Sequence, residues 1–147
     1  MGNRRKAREA SLQLLYEVDL AQKDYHLVLS EFLATPLRFL DLSGESSQSL
    51  EEIKRFTVQI TEGVCHNVRE IDQLVEGHST HWKISRMSVV DRNILRMAVF
   101  ELLYCPDIPA SVTLNEAIEI AKRFGTDESG SFVNGVLDHI AKELKKI

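Results

Sequence analysis

Near the start of the chain, Arg4-Arg5-Lys6-Ala7-Arg8 places four cations within little more than one helical turn. Such a cluster can pair with successive phosphates, and arginine adds bidentate hydrogen bonding and stacking on exposed bases. It can equally be a solvated terminus. A helix dipole disfavours cations at its N-terminal end, so arginines placed there suggest a use other than helix stability. Arg5, Arg8, Leu12 and Tyr16 share one side of the same predicted helix, bringing an aromatic ring within reach, although Leu12 and Tyr16 can simply pack on a neighbour.

A second informative stretch runs from Phe124-Gly125 through Thr126, Asp127, Glu128, Ser129, Gly130 and Ser131 to Phe132-Val133-Asn134-Gly135. A glycine stop, a polar loop and a helix start place Phe132 and Asn134 in the first turn of the last helix. There, unsatisfied amides can receive an anion and an aromatic ring can stack on a base. The alternative makes Phe132 a core residue and Asn134 a local hydrogen bonder.

Other chemistries find little support. His78-Ser79-Thr80-His81 has an HxxH spacing with Cys65-His66 upstream, but neither cysteine has a cysteine mate nearby, so no metal site is expected. There is no GxSxG elbow and no GxxxxGK[ST] loop. Glu51-Glu52 and Asp127-Glu128 sit at helix starts, where capping and the dipole account for them. Arg92, Arg96 and Glu101 fall on the most apolar helix, where unpaired charge is costly, and are read as structural ion pairs whose partners come from other helices. No catalytic constellation and no cofactor are expected.

Composition agrees. The 147 residues suit one domain, and 44% hydrophobic with 27% charged residues excludes disordered and low-complexity classes. The formal charge of −4 is unevenly spread: residues 1–8 carry four bases and no acid, while the rest carries 14 bases against 22 acids, a net of −8. A polyanion is therefore repelled by most of the surface, so any nucleic-acid contact is local and begins at the basic end. Two separated cysteines fit a reduced cytosolic setting. The basic start lacks the unbroken apolar run and cleavage site of a signal peptide, and no stretch approaches the ~18 apolar residues of a membrane span.

Seven helices are expected to position these groups, because the segments between Gly and Pro show helical rather than alternating periodicity. The first covers about 3–22, with Ala7, Ser11, Leu14, Leu15 and Val18 as its core stripe, and the second about 25–33. The third begins with a Ser49–Glu52 capping box and ends near 65 or 66. The fourth spans about 67–76, stopped by Gly77. The fifth, capped by Ser88 and reaching Tyr104, is apolar nearly all round and belongs in the middle. A sixth opens at Thr113, with a stripe of Leu114, Ala117, Ile118, Ala121 and Phe124. The last follows a loop at 126–131 and buries Phe132, Val133, Val136, Leu137, Ile140, Ala141 and Leu144.

Arg4 to Tyr16, Asp91-Arg92-Asn93-Ile94-Leu95-Arg96 to Glu101-Leu102, Asn115 to Lys122, and Phe124-Gly125 through Phe132-Val133-Asn134-Gly135-Val136-Leu137-Asp138 together resemble the NusB family of bacterial transcription antitermination factors. The resemblance implies an all-α, single-domain protein over residues 1–147, with seven helices in two packed subbundles. It implies a non-catalytic adaptor that binds boxA RNA of nascent ribosomal transcripts with the ribosomal protein NusE and helps RNA polymerase read through terminators. It also implies a cytoplasmic location and RNA contacts at Arg4, Arg5, Lys6 and Arg8, with Glu128 and Phe132 by position in the second motif. Gly130 and Ser131 stand where relatives can carry a base, which predicts a weaker second patch. RNA-methylating enzymes carry a similar domain, but 147 residues leave no room for their catalytic part. The rival reading is a protein-interaction module whose basic helix docks an acidic protein. Monomer and homodimer both stay open; a dimer through Arg5, Arg8, Leu12 and Tyr16 would hide the RNA site.

Overall fold

The structure, a computed structural model, describes residues 2–38, 40–79 and 83–147. Among these residues are seven α-helices and no strand, as the periodicity predicts. They fall into two compact units, Met1–His66 and Asn67–Ile147.

The first unit holds α1 (Asn3–Leu20), α2 (Tyr25–Ala34) and α3 (Ser47–His66). In α1 the expected stripe is buried at Ala7, Ser11, Leu14 and Leu15, with Val18 half-buried. Small residues at 7 and 11 let α1 approach α3 closely, and the contact is stitched by hydroxyls. Ser11 donates to the Thr57 carbonyl at 3.4 Å, and Thr57 donates to the carbonyls of Ile53 at 2.7 Å and Ala7 at 3.4 Å. A cluster of Ala10, Leu14, Val28, Leu29 and Phe32 closes the third side of the unit. Each large side chain fully buried there contributes about 1.5–3 kcal/mol. The Asp24 carboxylate caps α2 by accepting the His26 amide at 2.9 Å, and that hydrogen bond holds the carboxyl below the usual carboxylate range.

The cap of α3 differs from expectation. Ser46, not Ser49, accepts the amide, from Ser49 at 3.1 Å, and the helix begins a turn earlier. Serines at 46, 47 and 49 are all competent caps, so the choice is made by tertiary partners. Asn3 of α1 donates to Glu52 at 2.7 Å and to Ser49 at 3.5 Å, which draws both residues away from a capping box.

The second unit holds α4 (Val68–His78), α5 (Val89–Tyr104), α6 (Ala110–Phe124) and α7 (Ser129–Glu143). As predicted, α5 is central: it touches α4, α6 and α7 and buries residues on every side, and Ser88 caps it by accepting the Asp91 amide at 3.0 Å. Its charges find partners on other elements. Arg96 grips Asp72 of α4 with two parallel hydrogen bonds of 2.8 and 3.0 Å, Glu101 accepts from Thr113 of α6 at 2.9 Å, and Arg92 donates to the Ile84 and Met87 carbonyls. A bidentate guanidinium–carboxylate pair is among the stronger polar contacts available to a partly buried site.

Three further boundaries move, all in the second unit. Helix α4 passes through Gly77 to His78, since a helical glycine in open space costs only about 1 kcal/mol. Helix α6 starts at Ala110 behind Pro109 rather than at Thr113, whose hydroxyl serves Glu101. Its buried stripe is Thr113, Leu114, Ala117, Ile120 and Ala121, leaving Ile118 half-buried and Phe124 exposed. Helix α7 starts at Ser129, so Gly130 and Ser131 are helical. Cys105 is buried and Cys65 half-buried, both as free thiols. No helix among the described residues is long and apolar enough to cross a membrane.

Candidate nucleic-acid interface

The first turns of α1 carry the predicted cations on different faces. Arg4 is exposed and Arg8, one turn on, is 3% exposed; both guanidinium groups lie over the Phe56 ring of α3, at 4.9 and 5.4 Å from its centroid. A guanidinium on an aromatic face keeps its in-plane donors for other partners, and the contact is worth about 0.5–1 kcal/mol at an exposed site. Lys6 forms an ion pair with Glu45, both half-buried, and Arg5 is half-buried. Four cations that sequence treats as equivalent are therefore graded, from exposed Arg4 to buried Arg8. Of the side that could close a homodimer, Arg8 and Leu12 are covered within the chain, and Tyr16 is 41% exposed.

In the second unit the link from α6 to α7 is a tight turn. The Gly125 amide closes α6 on the Ala121 carbonyl at 2.9 Å. A Cβ at Gly125 would lie 2.8 Å from that carbonyl and inside the Ser129 side chain, so only glycine fits. Ser129 is buried and accepts the Thr126 amide at 2.9 Å, while the Thr126 hydroxyl reaches Glu128 at 3.3 Å. The Phe132 amide is bonded to the Glu128 carbonyl at 3.0 Å, so it offers no spare donor to an anion, contrary to the amide-cradle expectation. The side chains do come together. Exposed Glu128 and half-buried Phe132 line a surface depression of about 260 Å³ with Arg86, Met87, Ser88 and Asp91.

Arg86, Met87 and Asp91 carry no sequence signal of this role. They lie some forty residues before Glu128, and only the packing of α5 against α6 and α7 brings them to it. Asp91 reads from sequence as part of a helix start, yet its Oδ1 is buried without a hydrogen-bond partner among the described residues. The depression thus offers an aromatic face, one guanidinium and two carboxylates, a set suited to stacking and edge recognition of a planar heterocycle. Asn134, two residues beyond Phe132 on α7, is exposed. Of the HxxH motif, Thr80 and His81 lie outside the described residues.

Seven helices among the described residues, a graded basic turn in one unit and an aromatic depression in the other define an all-helical protein with two candidate binding surfaces. The model of the NusB family matches residues 5–142, and the chain belongs to that family. It is 46% identical to the transcription antitermination protein NusB of Desulfatibacillum aliphaticivorans, over 99% of this chain and 96% of that one. Among solved structures it is similar to T. maritima NusB, with a TM-score of 0.78 and 40% identity over 97% of this chain and 95% of that one. It is also similar to a chain in a complex of the antitermination factors NusB and NusE with double-stranded RNA, with a TM-score of 0.77 and 25% identity over 96% of this chain and 97% of that one.

Proposed function

We propose that this chain is a transcription antitermination factor that binds boxA RNA of nascent ribosomal transcripts together with NusE and helps RNA polymerase read through terminators. It is an adaptor and not an enzyme. The observation that carries the reading is the basic first turn of α1, led by exposed Arg4 over the Phe56 ring, in a NusB-family chain whose residues 9–147 carry a net charge of −8. Arg4, Arg5 and Lys6 contact phosphates, Arg8 positions Arg4 through the shared Phe56 ring, and Phe132 stacks on a base beside Glu128.

Charge divides the labour. Three to five phosphate contacts to a single strand give a slope of log affinity against log salt of about −2 to −3.5, which is modest binding. A basic ribosomal protein received by the acidic remainder, net −8, adds its own RNA contacts on the same scaffold and raises the combined affinity. Nascent RNA places the protein in the cytoplasm.

Competition between boxA-like and non-cognate RNA at fixed salt, with and without NusE, tests the proposal. The expected outcome is preference for the boxA-like RNA that sharpens when NusE is present. Indifference to both RNAs under both conditions overturns the RNA reading and leaves a module whose basic helix docks an acidic protein.

A further inference from the structure

The second unit holds a polar cluster outside both candidate RNA patches. His78, the last residue of α4, meets His139 of α7, sixty-one residues away in sequence, with their Nδ1 atoms 3.1 Å apart and their rings close to perpendicular at 80°. The other ring nitrogen of His78, Nε2, pairs with Glu143, one turn beyond His139 on α7. The His78 side chain is 12% exposed, whereas Glu143 is 61% exposed, so the cluster opens to solvent on the α7 side.

Three features of this arrangement go beyond packing. Two Nδ1 atoms at 3.1 Å cannot both direct an N–H at each other, so at least one presents a lone pair into the gap. Two imidazole nitrogens that bind one metal ion at about 2.0–2.1 Å stand roughly 3 Å apart, which is the separation already present. The carboxylate on Nε2 fixes the His78 tautomer that leaves Nδ1 unprotonated, and a ligating histidine ordinarily donates its second N–H to such a carboxylate.

We propose that His78 and His139 chelate a first-row divalent transition-metal ion of the Ni²⁺, Cu²⁺ or Zn²⁺ class through their Nδ1 atoms, with Glu143 orienting His78. Among the described residues no third His, Cys, Asp or Glu side chain is placed to ligate the same ion, so water completes the coordination shell. Imidazole ligands favour these ions over Mg²⁺ and Ca²⁺, which take oxygen ligands. Because the two ligands come from different helices, the ion binds the folded unit and ties α4 to α7, raising thermal stability with concentration. On binding, the proton that His139 holds on Nδ1 moves to its own Nε2, which leaves both Nδ1 lone pairs to the ion.

Thermal unfolding of the full chain at neutral pH, titrated with NiCl2, ZnCl2 or MgCl2, reads this directly. Ni²⁺ and Zn²⁺ are expected to raise Tm in a saturating manner, and Mg²⁺ is not. His139→Ala, a change at an exposed position, abolishes the rise, while His26→Ala, in the other unit, preserves it. Glu143→Gln retains the rise but shifts its midpoint to about 10–100-fold higher metal concentration. A rise that survives in His139→Ala, or no rise with Ni²⁺ or Zn²⁺, overturns the proposal.

Discussion

The two candidate RNA patches are held in place in opposite ways. On α1 the cations are tied to other elements of their unit: Lys6 to Glu45 in the segment before α3, Arg4 and Arg8 to Phe56 within α3. At the α6–α7 turn the ties are local, among Thr126, Glu128 and Ser129, and the side chains left over face a depression whose other wall comes from residues 86–91. The first patch delivers charge on a rigid helix and needs little shape. The second has little net charge and depends on shape, with a ring, a guanidinium and two carboxylates around one concavity. Affinity should reside mainly in the first patch and discrimination among bases in the second.

The strongest test of that division removes charge. Changing Arg4, Arg5 and Lys6 together to Ala should lower RNA affinity about tenfold or more and flatten the salt slope by ~2, since each phosphate contact to a single strand contributes about 0.7. Fluorescence titration at several salt concentrations measures both, and an unchanged slope would remove α1 from the interface. Next in size is Gly125→Ala. Its Cβ meets backbone as well as side chain, so stability should fall by about 1–3 kcal/mol in denaturant unfolding. Preference for boxA-like RNA should fall with it, and the salt slope should hold.

Phe132→Ala sharpens the comparison without disturbing the turn. Loss of one stacked base costs about 1–3 kcal/mol of RNA affinity, again at constant slope. A change in slope instead would show that the two patches are not separable. The smallest effect is expected at Glu45→Gln. Removing the carboxylate that competes with phosphate for Lys6 strengthens that contact, so affinity should rise by less than about 1 kcal/mol, most visibly at low salt. Weaker binding in that variant would mean that Glu45 positions Lys6 rather than competing for it.

Much of the fold is legible from periodicity because it is local. Hydrophobic spacing and the Ser88 cap specify α5, and its all-round apolar surface places it among three helices. Where several local solutions are equally good, sequence reasoning slips by a turn. Ser46 and Ser49 are interchangeable as caps until Asn3 engages Ser49 and Glu52, and Thr113 is a plausible helix start until Glu101 needs its hydroxyl. The stripe of α6 rotates toward Ile120 for the same reason, leaving Phe124 at the surface.

By itself the sequence determined the helical class, the family, the basic turn of α1 and the motif that carries Glu128 and Phe132. All of these are written in residue type and short-range spacing. Only the tertiary structure decided that Arg8 is buried while Arg4 is exposed, that Lys6 is engaged by Glu45, that Arg86 and Asp91 join Phe132, and that His78 meets His139. Each of those depends on which elements come to lie side by side across forty to sixty residues of chain. A helical period of 3.6 residues says which face turns inward, and the packing of whole helices says what that face meets.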